Sequence, residues 1–178
     1  MEQSLVLALN SLGPTRSDGV IAFVSDWGAY LYPLVLLVCL AVTRTRKSGA
    51  TLRGGWLAFF VALLVSDTIL KPIVRRPRPT AIHALVSHLH VLGKAPPAGN
   101  FSFPSGAATA CAAGATWIWL RFGPRWGALA AMFAVFVSVS RVYAGLHWPS
   151  DVLFGGVLGV GVAVGVARFE RWLDAQRA

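Results

Sequence analysis

Residues 140–169 read SRVYAGLHWPSDVLFGGVLGVGVAVGVARF, and this stretch indicates the class of fold. Its second part, from about residue 151 to residue 169, is almost wholly apolar and predicts a helix that spans a membrane. Its first part is polar and carries Arg141, His147 and Asp151 close to the start of that helix. The stretch therefore predicts a membrane helix that begins at a group of chemically active side chains.

The composition of the whole chain agrees with a membrane protein. Of its 178 residues, 56% are hydrophobic and 13% are charged, whereas roughly 25% are charged in a typical soluble domain. The mean hydropathy is +0.63. The formal net charge of +9 comes from basic residues that cluster between apolar runs, which favours anionic lipid headgroups or a phosphate substrate over nucleic acid. We expect one membrane-embedded domain over residues 1–178.

Apolar runs predict an all-α helical bundle with five membrane spans. In chain order, these lie at about 27–42, 56–70, 105–122, 126–139 and 151–169. Several are shorter than the roughly 20 residues that a bilayer core requires, so flanking residues are expected to extend the helices. A sixth span that includes Val20 to Val24 is the alternative, but Arg16 and Asp18 would be costly inside a membrane.

The first residues have the pattern of a helix that lies on a membrane surface. Residues 2–12 place leucines on one side and Gln3 and Asn10 on the other, before Gly13-Pro14 ends the segment. The segment is too short to cross a bilayer. We therefore predict that residues 1–13 form an amphipathic helix at the membrane interface.

Alternation of the spans brings four separate places onto one membrane face. The end of the second span, the start of the third, the end of the fourth and the start of the fifth hold Lys71, Ser105, Arg141 and Asp151. The positive-inside rule predicts that this face lies outside, towards the periplasm. This predicted orientation depends on the basic residues of the opposite face, which are Arg44, Arg46, Lys47, Arg53, Arg121, Arg125, Arg168, Arg171 and Arg177.

His147 and Asp151 are spaced to act together. Four residues apart, they share one side of a helical turn, where a carboxylate can fix the imidazole tautomer and leave the other nitrogen free to attack. The alternative is that His147 only anchors the chain at the interface while Asp151 caps the helix. Arg141 favours the chemical interpretation, because its planar guanidinium suits the oxygens of a phosphate.

Two further segments supply phosphate-binding groups on the same face. Lys71 and Arg78 are cations, and Asp67 lies one helical turn before Lys71. We expect Asp67 to aim Lys71 at the site, although it could instead pair with another polar group. Ser105 and Gly106 open the third span, where free N–H groups and the positive end of the helix dipole can cradle a phosphate.

The three segments form an ordered pattern between residues 71 and 151. They read KPIVRRPRP at 71–79, PSGA at 104–107 and SRVYAGLHWPSD at 140–151. Their order and spacing resemble the type-2 phosphatidic acid phosphatase (PAP2) family, with its vanadium haloperoxidase relatives, over about residues 56–169. That family has Lys, six residues and Arg-Pro; then Pro-Ser-Gly-His; then Ser-Arg, five residues, His, three residues and Asp. The first and third segments match fully, but Ala107 stands in place of the histidine.

The resemblance implies a role for each matching residue. His147 would be the nucleophile that forms a phosphohistidine, and Asp151 would orient it. The missing histidine at the position of Ala107 would protonate the leaving group. The resemblance implies no metal or other cofactor, and it implies that the substrate phosphate is bound by Lys71, Arg78, Ser105, Gly106 and Arg141.

Ala107 therefore predicts impaired turnover, since general acid catalysis is worth roughly 10²–10⁴-fold. Either the alanine is a deliberate inactivating substitution or the chain is a naturally impaired member, and the intact remainder of the site favours the first interpretation. The loss of hydrolysis rate is expected to depend on the substrate, because an alkoxide leaving group needs a proton more than a phosphate leaving group does.

The order of the segments resembles the small bacterial undecaprenyl-diphosphate phosphatases of this family. The shared features are a short N-terminal helix, a compact chain, and an outer loop with histidines before residues 101–105. The resemblance implies hydrolysis of undecaprenyl diphosphate to the monophosphate in a bacterial inner membrane. The alternatives are a phosphatidylglycerophosphate or phosphatidic acid phosphatase, and a membrane protein that binds lipid phosphates without turnover. A transporter is disfavoured, because its polar residues would lie at mid-membrane depth.

Several polar residues outside the motifs have simpler explanations. His83, His88 and His90 are expected to be loop residues near a lipid headgroup, although one of them could replace the missing acid. Arg75 and Arg76 are expected to be interfacial anchors that gather anionic lipid.

Overall fold

The computed structural model describes residues 1–11, 16–43, 48–82, 85, 87–92 and 100–176. Within these ranges the secondary structure is helical and contains no strand. Four segments are long and apolar enough to cross a membrane, which confirms the predicted all-α membrane bundle. They are Asp18–Ala41, Gly49–Ala81, Pro124–Tyr143 and Pro149–Gln176.

The first of these segments begins earlier than the sequence predicts. Helix α2 (Asp18–Trp27) continues through a 3₁₀ turn (Gly28–Leu31) into α3 (Tyr32–Thr43). The prediction that this span starts near Trp27 was therefore wrong, and Val20 to Val24 belong to it instead of forming a sixth span. Asp18 is accommodated because it lies at the helix N-terminus, where a negative charge is favoured.

The second segment carries the first motif through an irregular helix. Helix α4 (Ser48–Leu63) runs into a π-helical segment (Leu64–Leu70) and then into the short α5 (Lys71–Val74). Arg75, which ends α5, has a left-handed backbone conformation with φ of 52°. The chain therefore turns sharply here, before the 3₁₀ turn Pro79–Ala81. Wide turns of the π type are frequently found at functional sites.

The predicted third span is the helix at the centre of the bundle. This helix, α6 (Gly106–Phe122), has 17 residues and so is about 25 Å long. It packs against α4, α7 (Pro124–Tyr143) and α8 (Pro149–Gln176). Its Trp117 side chain is fully buried, and Nε1 donates a hydrogen bond to the carbonyl of Thr51 at 3.0 Å. The buried small residues of α6 let its neighbours approach closely.

Glycines bring the start of α8 against the start of α6. A Cβ atom added at Gly155 would lie 2.8 Å from the carbonyl oxygen of Ser105, and one added at Gly159 would collide with the carbonyl of Thr109. The Ser105 amide in turn donates to the carbonyl of Asp151 at 3.1 Å. This packing holds the second and third motifs together.

Helix α1 (Glu2–Asn10) forms as predicted, but it buries a different face. Its buried residues are Val6 and Asn10, whereas Leu5 is half-exposed. Asn10 was assigned to the polar, outward side, and that assignment was wrong. Its amide nitrogen donates to the carbonyls of His90 (2.8 Å) and Tyr143 (2.7 Å), and its oxygen accepts from the His90 amide at 2.6 Å. Burial is tolerated because these hydrogen bonds satisfy the carboxamide.

Candidate active site

A cavity of about 600 Å³ opens where the three motifs meet. Two carboxylates stand among three cations in its polar part, which is lined by Ser25, Asp26, Asn100 and the predicted residues Asp67, Lys71, Arg78, Gly106, Ala107, Arg141 and His147. A second, largely apolar part is lined by Trp27, Ala29, Tyr30, Phe59 and Leu63. The cavity therefore combines a cluster of cations with a surface that suits a hydrocarbon chain.

His147 is held in one tautomer. Its side chain is buried, and Nδ1 lies 2.9 Å from the carbonyl oxygen of Ser102. On the other side of the ring, Nε2 lies 3.1 Å from Nη1 of Arg78. A carbonyl can only accept and a guanidinium can only donate, so Nδ1 carries the proton and Nε2 presents its lone pair.

Burial keeps the His147 imidazole neutral. It lowers the pKa of His147 to about 3, and the positive charges of Arg78 and Arg141 act in the same direction against the opposing effect of Asp151. Since the neutral ring is the nucleophilic form, Nε2 stays unprotonated across the physiological pH range, with its lone pair accepting from Arg78.

Asp151 has more partners than the sequence indicates. Its carboxylate is fully buried, and Oδ2 accepts from the Trp148 amide at 2.8 Å while lying 3.5 Å from Nδ1 of His147. Oδ1 accepts from Nη1 of Arg76 at 2.7 Å. Asp151 therefore lies behind His147 and also caps the start of α8.

Two residues near His147 were missed or misassigned. The carbonyl of Ser102 is the nearer acceptor for Nδ1, and a main-chain group leaves no signal in the residue type. Arg76 was expected to anchor the chain at the interface, which was wrong. Its guanidinium instead bridges Asp151 and Glu2, because the turn after α5 directs this side chain inward.

Arg78 is fixed by neighbouring loops. Its side chain is buried, with Nε 3.0 Å from the carbonyl of Asn100 and Nη1 2.8 Å from the carbonyl of Leu146. Nη2 also donates to the Asn100 side chain at 3.0 Å. The cation therefore has a set position beside His147 without neutralisation by a carboxylate in direct contact.

Arg141 retains a free donor. Its Nη1 donates to the carbonyl of Ser25 at 2.5 Å and lies 3.9 Å from Asp26 Oδ1. Within the described part of the chain, its Nε is the one buried side-chain nitrogen or oxygen without a hydrogen-bond partner. Buried donors of this kind are rare, and they mark Arg141 as a residue of the cavity wall whose hydrogen bonds are not all made within the described protein.

Lys71 and Asp67 form the predicted pair at the first motif. Lys71 Nζ lies 2.5 Å from Asp67 Oδ1. The Asp67 carboxylate also packs against Gly106, so closely that a Cβ atom at that position would collide with it. A larger residue here would displace the Asp67 carboxylate, so glycine allows the close approach of the first motif to the start of α6.

Ser105 stands at the start of α6 and caps that helix, while its role as a phosphate ligand stays a prediction. It is the N-cap of α6, fully buried, and its Oγ accepts from the Ala108 amide at 3.5 Å. Gly106 and Ala107 line the cavity, whereas Ser105 does not. Its hydroxyl serves the helix N-terminus because extended backbone at an N-cap turns the side chain towards the first free amides.

His88 and His90 lie away from this cavity. His90 Nε2 is 3.3 Å from Asp18 Oδ2, and His88 is exposed. Neither lines the cavity, while His83 lies outside the described residues. Across the described ranges, no group of three or more His, Cys, Asp or Glu side chains is arranged to hold a metal ion.

Comparison with known proteins identifies the family. Residues 32–174 match the family model described as the PAP2 superfamily. The chain belongs to the PAP2 superfamily. It is 35% identical over 144 residues to an undecaprenyl-diphosphatase of Sulfolobus acidocaldarius, a match that covers 80% of this chain and 65% of that protein. It is 27% identical over 179 residues to undecaprenyl-diphosphatase BcrC of Bacillus subtilis, covering 99% of this chain and 86% of that one. The chain thus spans just under two thirds of the archaeal relative.

Solved structures share the PAP2 fold. LpxE of Aquifex aeolicus superimposes with a TM-score of 0.72 at 21% identity, covering 94% of each chain. A PAP2 type phosphatidylglycerolphosphate phosphatase from Bacillus subtilis gives a TM-score of 0.69 at 23% identity, covering 96% of this chain and 84% of that one. The chain is therefore a multi-pass membrane protein of the PAP2 lipid phosphatase superfamily.

Proposed function

We propose that this PAP2 protein hydrolyses a polyprenyl diphosphate, with undecaprenyl diphosphate as the model substrate, through a phosphohistidine at His147. One observation carries the proposal. A neutral, buried imidazole, whose Nε2 accepts from Arg78, lines the same cavity as Lys71, Arg78 and Arg141, so a phosphate that takes over the Arg78 hydrogen bond would meet the Nε2 lone pair.

In the proposed first step, Nε2 of His147 attacks the terminal phosphorus of the diphosphate. An N–P bond forms, the bond from phosphorus to the bridging oxygen breaks, and the lipid monophosphate leaves. The cations stabilise the charge on the equatorial oxygens of the transferring group. Asp151 and the Ser102 carbonyl stabilise the positive charge that develops on the imidazole.

In the second step, water attacks phosphorus, the N–P bond to Nε2 breaks and inorganic phosphate leaves; the water gives up a proton to bulk water or to a phosphate oxygen, and His147 is again the neutral Nδ1–H imidazole. In this proposal the phosphate oxygens have two sources of donors, namely the cations Lys71, Arg78 and Arg141, and the start of α6 at Gly106 and Ala107, which line the same cavity. Every group assigned to these steps is supplied by the chain, so we propose that no metal takes part. A proton donor at position 107 would assist both steps, and Ala107 cannot supply one.

The choice of lipid is supported by the relatives and by the cavity. Two similar proteins carry the name undecaprenyl-diphosphatase. The apolar part of the cavity, lined in part by Trp27, Phe59 and Leu63, suits the first isoprene units of a lipid tail. Phosphatidylglycerophosphate or phosphatidic acid remains the alternative substrate.

A second candidate function follows from Ala107. Because the phosphate-binding groups are intact while the expected proton donor is missing, the chain could bind lipid phosphates without turnover. We also propose that the site faces outward from a bacterial inner membrane, and that residues 1–178 act as one membrane-embedded unit. The outward orientation is supported by Arg121, Arg125, Arg168 and Arg171 at the opposite ends of the helices.

Comparison of two substrates tests this function. We expect Ala107 to depress hydrolysis of phosphatidic acid at least about tenfold more than hydrolysis of undecaprenyl diphosphate, because only the first releases a strongly basic alkoxide. Phosphate release in detergent is measured for this chain and for its Ala107→His variant. The ratio of the two rates is then compared between substrates, and equal ratios would contradict the proposed role of position 107.

A further inference from the structure

We propose that Arg76, held in place by Glu2 of helix α1, is a positioning residue that keeps Asp151 and Ser102 behind the imidazole of His147. The assignment rests on the proposed function for the role of His147 as nucleophile. It gives α1 and the non-motif residue Arg76 a part in the chemistry of the site.

The side chain of Arg76 holds Asp151. Its Nη1 lies 2.7 Å from Asp151 Oδ1 and 2.6 Å from Ser150 Oγ, and its guanidinium lies over the Trp148 ring at 5.3 Å. Asp151 is completely buried. A buried carboxylate requires a compensating charge, and Arg76 supplies it on the side away from His147.

The main chain of Arg76 holds Ser102. The Arg76 carbonyl accepts a hydrogen bond from the Ser102 amide at 2.8 Å and another from its hydroxyl at 3.2 Å. The carbonyl of Ser102 is in turn the nearest acceptor for Nδ1 of His147. One residue thus fixes both oxygens that face the Nδ1 proton.

Glu2 links this arrangement to α1. Its Oε2 lies 2.5 Å from Nη2 of Arg76, and Oε1 accepts from the Ser150 amide at 3.0 Å. Burial by itself raises the pKa of the Glu2 carboxyl, but the hydrogen bonds from Ser150 and Arg76 bring it below its ordinary value. An ionised Glu2 therefore caps α8, the helix that carries Asp151, and neutralises the outer side of Arg76.

The other end of α1 is fixed independently. Asn10 binds the backbone of His90 and Tyr143, and Val6 is buried between the two ends of the helix. The helix is therefore clamped across the motif face, and Glu2 has a defined position from which to hold Arg76.

Loss of Arg76 has a specific electrostatic consequence. The charged groups that act on His147 are Asp151 from α8, Arg78 from the loop after α5, and Arg141 from α7. Without Arg76, the charge of Asp151 is no longer offset and stabilises the imidazolium form of His147. The pKa of His147 should then rise, and the Nε2 lone pair would be lost to protonation at mildly acidic pH.

Histidine NMR on the intact chain in detergent micelles tests this inference without requiring turnover. The chain has four histidines, and His147→Asn identifies the signal of His147. In the unaltered chain, we expect His147 to remain the neutral Nδ1–H tautomer from pH 8 to pH 5. In Arg76→Gln, we expect its pKa to rise by about two units or more, so that protonation of His147 becomes visible at the acidic end of this range.

Arg75→Gln is the matched control, because Arg75 is exposed and its Nε donates to the Pro72 carbonyl at 2.8 Å. An unshifted His147 in folded Arg76→Gln, or an equal shift in Arg75→Gln, would overturn the inference. If Arg76→Gln does not fold, the inference is tested with the double variant Arg76→Gln/Asp151→Asn, which also removes the carboxylate charge that Arg76 offsets. Recovery of folding with neutral His147 would support the inference, and failure to recover would overturn it.

Phosphate release by Ala107→His, measured in parallel, reports separately on the proposed function. An inactive Ala107→His chain with the expected NMR shifts would reject the phosphatase and retain the positioning role of Arg76. An active Ala107→His chain without those shifts would retain the phosphatase and reject the positioning role of Arg76.

Discussion

Replacing Ala107 with histidine is expected to increase phosphate release by roughly 10²–10⁴-fold, the usual contribution of a positioned proton donor. Ala107 lines the same cavity as His147 and the three cations. An imidazole at this position can protonate the departing oxygen and then accept a proton from the attacking water. Initial rates with undecaprenyl diphosphate in detergent measure the gain.

Ala107→Gln is the control for this substitution. Glutamine is polar and of comparable size, but it does not exchange a proton near neutral pH. We expect it to leave the rate close to that of the unaltered chain. A similar gain from glutamine would show that the rate depends on filling the cavity and not on proton transfer. An inactive but folded Ala107→His chain would favour the lipid-binding alternative.

Replacing His147 with asparagine in the Ala107→His chain is expected to reduce turnover by roughly 10⁴-fold or more, as loss of a nucleophile does in other hydrolases. Asparagine can still donate a hydrogen bond to the Ser102 carbonyl, but it offers no ring nitrogen to attack phosphorus. Rates are compared with thermal denaturation midpoints in the same detergent. Activity within tenfold of the parent, in a folded variant, would exclude His147 as the nucleophile.

The sequence predicted the cavity residues best where charged side chains stand at the ends of apolar spans. The ends of successive spans had to meet on one face, and the cavity does hold Lys71, Arg78, Gly106, Arg141 and His147. The pairing of Asp67 with Lys71 was also predictable, because residues four apart on a helix are neighbours.

The groups behind the imidazole were not predictable, because they depend on tertiary packing. The Ser102 oxygen that accepts from Nδ1 of His147 is a main-chain atom. Arg76 meets Glu2 and Asp151 across long separations in sequence. Ser105 has the residue type of a phosphate ligand and equally that of a helix cap; the structure shows the cap, and the phosphate contact stays a prediction. Polar type alone placed Asn10 outward, whereas backbone partners supplied by other segments bury it.

Transfer of a phosphoryl group to His147 can be measured on the chain as it stands, with Ala107 in place. A lipid diphosphate releases a leaving group that depends little on protonation, whereas hydrolysis of the phosphohistidine still lacks a base to activate water. Undecaprenyl diphosphate labelled with ³²P on its terminal phosphate is therefore expected to label the protein. The label should survive alkali, be lost in acid, map to the peptide that contains His147, and be absent from His147→Asn. Label retained in His147→Asn, or no label on either the unaltered chain or an Ala107→His chain that releases phosphate, would contradict a phosphohistidine mechanism.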